Sequence, residues 1–306
     1  MPPPDRVRVQ GWPPRDRGGR EAEENGAMLS ENVQQASDRF RDLIRSITGI
    51  SLPPHKVQMI DQRLRRRVMA FGLPDTETYL AQLMAGALPK DELGQVIDLI
   101  TTNTTSFFRE AEHFTFLIDV VLAEKMAQVR HGMPARFKLW SAAASEGAEA
   151  YTAAMVLEEA RRAGKGCDWA ILGTDLSQRM VDRAQAAIYA NDQLSTVPAA
   201  LQRRYFLTSD DPSVAGKSRV VPELRRNVRF RHLNLMDHRY PVDRDVDVVM
   251  LRNVLIYFDQ TDKEQVVDRL AGHLLSGGYL IVGHAESMVV RHPALRQVRP
   301  TIFRKV

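Results

Sequence analysis

Between residues 101 and 110 the chain reads Thr101-Thr102-Asn103-Thr104-Thr105-Ser106-Phe107-Phe108-Arg109-Glu110. Hydroxyls and an amide at this density can bind a carboxylate or an amino group. The two aromatics, which an arginine follows, can wall off water. The same residues also suit a structural seam, with Thr and Asn capping helices and Phe packing between domains. Both readings stay open from this segment alone.

Other places offer chemistry of a related kind. Leu139-Trp140-Ser141-Ala142-Ala143-Ala144-Ser145-Glu146-Gly147 is a run of small residues where an apolar stretch meets a helix, and it lets a ligand approach the backbone closely. It lacks the G-x-G-x-x-G spacing, so a nucleoside without a phosphate cradle suits it better than a dinucleotide; a tightly packed turn is the alternative. Asp175 ends the next apolar stretch, about thirty residues later. An acid there can accept both hydroxyls of a ribose, and Asp175 or Ser177 can equally cap the following helix. Asn234-Leu235 and Arg252-Asn253 close two further apolar stretches, the second followed by Val254-Leu255-Ile256-Tyr257-Phe258. Finally, Arg63-Leu64-Arg65-Arg66-Arg67 makes a dense positive face, which is either solvated or a docking surface for an acidic helix or for phosphates.

These groups must be positioned by two kinds of element. From Asn32 to about Arg109 the spacing is helical: Phe40, Leu43, Ile44 and Ile47 up to Gly49, then His55–Phe71, then a helix from Thr76 with Tyr79, Leu80 and Leu83, then Asp91–Ile100. A linking helix, Glu112–Arg130, follows. Beyond it strands are expected at Phe137–Trp140, Trp169–Thr174, Val228–Leu233, Val246–Leu251 and Gly278–Gly283, with a closing segment Thr301–Val306. Helices are expected at Ala148–Ala163, Gln178–Tyr189 and Lys263–Leu275. This alternation predicts an α/β fold with a mostly parallel sheet and ligands at the carboxyl ends of its strands. The stretch at about 205–226 breaks the rhythm with Ser209-Asp210-Asp211-Pro212, Gly216 and Pro222, and reads as an inserted β-subdomain with a strand at Ser218–Val221. Residues 1–28, rich in Pro, Gly and mixed charge, read as a disordered tail. The expected units are therefore 29–109, helical, and 110–306, α/β, the latter opening with the linking helix 110–130.

Hydrophobic residues make up 44% and charged residues 26%, the balance of a soluble globular protein. No apolar run approaches the roughly 20 residues that span a bilayer, so no membrane insertion is expected. No apolar signal core opens the chain, which points to a cytoplasmic protein. The single cysteine, Cys167, excludes an intramolecular disulfide and a Cys-based zinc site. The formal charge of +4 is too mild to assign a partner by itself.

Taken together, Thr101–Glu110, Trp140–Ser145, Thr174-Asp175, Asn234-Leu235, Arg252–Phe258 and Gly283-His284-Ala285-Glu286-Ser287 resemble, in order and spacing, the chemotaxis receptor methyltransferase family, CheR. The resemblance runs from about Leu29 to Val306. It implies an all-helical N-terminal domain, a Rossmann-like methyltransferase domain and a small β-subdomain inserted in the latter. It implies transfer of a methyl group from S-adenosylmethionine to glutamate carboxylates of chemoreceptors, leaving glutamate methyl esters and S-adenosylhomocysteine, with no metal. Carried over by position, Asn103, Thr105, Arg109, Glu149, Asp175, Asn234, Leu235, Arg252 and Asn253 are expected to line the cofactor site. Arg109 and Tyr257 are expected beside the transferred methyl as the catalytic pair. Arg63, Arg65, Arg66 and Arg67 are expected to face the acidic cytoplasmic helical bundle of the receptor. A monomer is expected, with no nucleic acid partner. The family usually shows Thr-Gly-Glu-Glu-Pro-Tyr-Ser where this chain has Glu146-Gly147-Ala148-Glu149-Ala150-Tyr151-Thr152, so the second glutamate is kept as Glu149 and the first, with the proline, is lost.

A carboxylate acceptor is already an anion at neutral pH, so no general base is required. Alignment and exclusion of water become the main catalytic terms. The competing readings are a relative that senses S-adenosylmethionine or its product without turnover, an enzyme acting on a non-chemotactic signalling protein or RNA, and a purely structural domain.

Overall fold

The computed structural model describes residues 37–53, 57–101, 103–129 and 136–306. The segment 1–28, the helix starts read at Asn32 and His55, Thr102 and Arg130 lie outside the described residues.

Among the described residues the N-terminal unit consists of four helices: α1 (residues 37–48), α2 (Val57–Ala70), α3 (Thr76–Met84) and α4 (Glu92–Ile100). Their apolar stripes meet in one core, in which Phe40, Ile44, Leu64, Tyr79, Leu80, Val96 and Ile100 are buried. Asp75 caps α3 by accepting the Thr78 N–H at 2.7 Å. Fully buried Glu92 takes Arg67 Nε at 2.8 Å and also meets the Tyr79 hydroxyl, which ties α2, α3 and α4 together. Arg63 Nη1 donates to the carbonyl of Ile100 at 2.7 Å and reaches those of Leu99 and Thr101, satisfying the open end of α4. The positive face expected of α2 is therefore divided. Arg65 and Arg66 are exposed, whereas Arg63 and Arg67 are half-buried and turned onto α4.

The chain then crosses to the α/β unit along α5 (Glu112–Phe116), a π-helical stretch (Leu117–Leu122) and α6 (Ala123–Gln128). Phe114, Phe116, Leu117, Val121 and Leu122 bury this linker against the sheet helices. The order continues β1 (Arg136–Ala142), α7 (Ala148–Arg162), β2 (Asp168–Asp175), α8 (Gln178–Ala186), β3 (Ile188–Ala190), α9 (Ala199–Tyr205), β4 (Phe206–Thr208), β5 (Lys217–Val220) and α10 (Pro222–Arg225). It closes with β6 (Val228–His232), β7 (Val246–Leu251), α11 (Gln260–Ala271), β8 (Leu274–Val282), β9 (Leu295–Arg299) and β10 (Ile302–Lys305).

The main sheet has seven strands in the order β6-β2-β1-β7-β8-β10-β9. The first five run parallel, β10 runs antiparallel to β8, and β9 antiparallel to β10. Strand order reverses between β1 and β7, and a crevice opens at the carboxyl ends of the strands there. Every residue of β7 is buried, which is why its sequence reads as a near-continuous apolar run.

A second sheet of three antiparallel strands, β3-β5-β4, sits between α8 and β6. It begins before the stretch 205–226 from which an insertion was expected. The helix expected over Gln178–Tyr189 stops at Ala186, because Ala187 turns into the left-handed region at φ 54°. Tyr189 instead becomes a buried residue of β3. The helix expected at Lys263–Leu275 begins earlier, where Asp259 caps α11 by accepting the Asp262 N–H at 2.9 Å, and Leu274 already belongs to β8.

Candidate active site

The turn from β1 into α7 is built of residues small enough for a strained backbone. Ala143 and Ser145 take φ values of 60° and 51°, a region that side-chain-bearing residues enter at some cost and only where their surroundings hold them there. The turn is held from both sides. Ala144 donates its N–H to the Thr174 carbonyl at 2.8 Å, and Ser145 donates its N–H to Asp175 Oδ2 at 2.7 Å. Ser145 Oγ donates to the Asn103 carbonyl at 2.8 Å, which pins the hydroxyl-rich segment against the turn. Thr105 lines the cavity farther along that segment, and Phe107 is buried in the core beyond it.

Asp175 stands at the end of β2, almost wholly buried. Burial pushes its carboxyl above the usual range, while hydrogen bonds from the Ser177 and Ser145 N–H groups pull it back. The capping role left open by the sequence belongs to Ser177, whose Oγ accepts the Met180 N–H at 3.1 Å. Asp175 takes one backbone N–H on each oxygen and lines the cavity.

Arg252 follows β7 and is nearly sealed, its side chain 3% exposed. Its guanidinium meets Glu149 at 2.9 Å and Glu110 at 3.2 Å, donates to the Arg109 carbonyl, and lies 5.7 Å from the centre of the Phe114 ring. Glu149, in the first turn of α7, also accepts the Ser141 hydroxyl at 2.6 Å. Helix α7 opens on Gly147 without the proline common in the resembled pattern; Glu146 there accepts Gln193 Nε2 at 2.6 Å and pairs with Arg183 at 3.3 Å. Beside Arg252, Glu110, His113 and His284 bring atoms of metal-ligand type within 4.8 Å of one another. His113 is fully buried and donor or acceptor to Thr301 Oγ1 at 2.7 Å, and burial lowers its pKa to about 4, so it is neutral at physiological pH.

The helical unit closes the site from above. Asn234 Nδ2 donates to the Ile47 carbonyl at 2.6 Å, Ser51 donates its N–H to the Tyr257 carbonyl at 2.8 Å, and Arg45 pairs with Asp259. Gly49 makes this seating possible: its φ is 72°, and a Cβ there would lie 2.5 Å from Met236 Sδ.

The resulting cavity lies between the helical unit and the carboxyl ends of β1, β2 and β7. Asn103, Thr105, Arg109, Glu149, Asp175, Asn234, Leu235, Arg252, Asn253 and Tyr257 all line it. The four arginines of α2 do not, although Met59 on the same helix does. Sequence reasoning did not single out Ile50, Leu52, Met59 and Ile100, which form the apolar side contributed by the helical unit. In sequence they are indistinguishable from core residues, since only the seating of one unit on the other turns them to the cavity. Arg109 is half-buried and reaches the Thr104 carbonyl at 3.3 Å.

Residues 35–101 match the family model described as CheR methyltransferase, all-alpha domain, and residues 103–303 match the one described as CheR methyltransferase, SAM binding domain. The chain is 38% identical over 260 residues to a chemotaxis protein methyltransferase of Salmonella typhimurium, covering 84% of this chain and 86% of the relative. It is 36% identical over 273 residues to chemotaxis protein methyltransferase 2 of Pseudomonas aeruginosa, covering 89% and 92% respectively. A chemotaxis protein methyltransferase of Escherichia coli strain K12 shares 36% over 262 residues, covering 85% and 87%.

Proposed function

Because the chain belongs to the CheR methyltransferase family, we propose that its cavity binds S-adenosylmethionine and that the enzyme esterifies glutamate side chains on the cytoplasmic helical bundle of chemoreceptors. It does so in the cytoplasm, as a monomer, without a metal or nucleic acid. No described helix is long and apolar enough to cross a membrane.

The observation that carries the proposal is the chain of contacts from Asp175 through Ser145 to Asn103 along one wall of the cavity. The residues present fit a nucleoside-bearing cation. Asp175 supplies a carboxylate for ribose hydroxyls, Leu235 and the small-residue turn supply apolar surface, and no glycine nest calls for a phosphate. Buried Arg252 Nε has no hydrogen-bond partner among the described residues, which leaves a donor for the amino-acid end of the cofactor. Asn103, Thr105, Glu149, Asn234 and Asn253 complete the polar contacts. When bound, S-adenosylmethionine supplies a methyl group on a positively charged sulfur, and its passage to a carboxylate cancels both charges, so water must be kept out.

No side chain has to remove a proton, since the acceptor is ionised before it arrives. Arg109, at the mouth, orients the acceptor carboxylate; a tight pair would blunt the nucleophile, so the contact must be loose. Tyr257, which also lines the cavity, supports the acceptor oxygen. Exposed Arg65 and Arg66 attract the acidic bundle along α2, the helix whose Met59 walls the cavity.

Arg109→Ala is expected to lower turnover on the order of 100-fold, the loss typical of a misplaced reactant, with a much smaller change in cofactor affinity. Single-turnover transfer of labelled methyl, combined with calorimetric titration of the cofactor, separates the two. Wild-type turnover at intact affinity would remove Arg109 from its role.

A further inference from the structure

The segment Gly283-His284-Ala285-Glu286-Ser287 follows β8 and none of the roles above uses it. Glu286 is 0% exposed, yet among the described residues it forms no ion pair. Its carboxylate is compensated by backbone alone. Oε1 accepts the N–H groups of Val254 and Leu255 at 2.6 and 2.7 Å, and Oε2 accepts those of Asn253 and Gly283 at 2.8 and 2.7 Å. Such an array of converging amides occupies both carboxylate oxygens and fixes the side chain in place.

Three of those donors open the loop that carries Tyr257. Asn253 sits there in the left-handed region at φ 61°, a conformation that needs support from its surroundings. The fit leaves no slack at the other end. A Cβ on Gly283 would lie 2.5 Å from Asn253 Nδ2 and 2.9 Å from Glu286 Oε2. Asn253, Val254 and Tyr257 line the cavity, while Glu286 does not.

We infer that Glu286 is a positioning residue for methyl transfer: it gathers the backbone N–H groups of Asn253–Leu255 and so sets the place of Tyr257 beside the acceptor. This rests on the function proposed above. A shift of about 1 Å in an aligned group costs on the order of 100-fold in rate, so the effect belongs in turnover more than in binding.

The test uses the full chain with Glu286→Gln and Glu286→Asp. The amide replaces one acceptor oxygen by a donor that faces backbone N–H groups; the aspartate keeps both oxygens on a shorter arm. At a temperature where circular dichroism shows each variant folded, E286Q is expected to lose about 10- to 100-fold in kcat with the KM for S-adenosylmethionine changed less than about threefold, and E286D to recover part of the loss. Amide hydrogen exchange at Asn253–Leu255 is expected to quicken in E286Q while exchange in β7 stays as it was. A folded E286Q with kcat within twofold of wild type, or unchanged exchange at those amides, overturns the inference. If E286Q does not fold, Gly283→Ala keeps the Glu286 carboxylate but pushes on both it and Asn253, displacing the same contact, and wild-type kcat in G283A overturns it equally. A wild-type enzyme that forms no methyl ester would defeat the proposed function instead, while the exchange comparison would still decide the role of Glu286.

Discussion

Arg252→Met is expected to destabilise the α/β unit by about 3–5 kcal/mol, the loss seen when one partner of a buried ion pair is removed. The size follows from what is left behind. Glu149 and Glu110 face the Arg252 guanidinium at 2.9 and 3.2 Å with side chains only 11% and 13% exposed, and among the described residues no other lysine or arginine pairs with either, Glu110's further neighbour being His113 at 3.4 Å. Methionine fills the volume and supplies no charge, so two carboxylates remain near each other in a dry place. The midpoint of thermal unfolding should fall on the order of 10 °C. Adding Glu149→Gln should restore part of the stability, because the charge left uncompensated is then removed, but not cofactor binding. A loss below about 1 kcal/mol in the single variant would mean that the pair is as weak as an exposed one.

Asp175→Asn should weaken S-adenosylmethionine binding on the order of 100-fold, corresponding to the loss of a charged acceptor shared by two hydroxyls. The change is nearly isosteric, so the cavity keeps its shape. One oxygen becomes a donor, however, and must then face either the Ser145 or the Ser177 N–H, each of which now has a carboxylate oxygen within 2.9 Å. Where it faces Ser145, the turn Ala143–Ser145 keeps only the Ala144–Thr174 bond to β2, and the strain passes to Asn103 through Ser145 Oγ. Calorimetric titration gives the number directly. An affinity within a few-fold of wild type would return Asp175 to a purely local role at the end of its strand.

How much of this was legible beforehand depends on the length scale of the signal. Helices α2 to α4 declare themselves because their apolar residues recur at helical spacing over nine residues or more. Strand β7 has the bounds expected from sequence, since burial on both faces leaves an uninterrupted apolar run. Strand β3 is three residues long with one side exposed, and no periodicity can be read from so short a piece. Strand β9 is almost wholly exposed, so its residues carry no apolar pattern.

The site shows the same division. Asp175, Asn234 and Arg252 lie where apolar runs end, and strand ends in an α/β sheet converge. The split among the α2 arginines was there to be read: Arg63 and Arg67 are four apart and flank Leu64 and Val68, which are buried, whereas Arg65 and Arg66 lie on the other face. Their common residue type hid it. Glu286 was beyond reach of any local reading, because its partners at Asn253–Leu255 are brought to it only by the pairing of β7 with β8.

The central claim is that the acceptor is a carboxylate, and one measurement tests it most directly. The enzyme is incubated with S-adenosylmethionine carrying a labelled methyl group and with membranes that contain chemoreceptors, and the product is treated with mild alkali. The account predicts label on receptor protein that survives ribonuclease and is released as methanol by alkali. Label that resists alkali, label lost to ribonuclease, or cofactor binding without any transfer would contradict it.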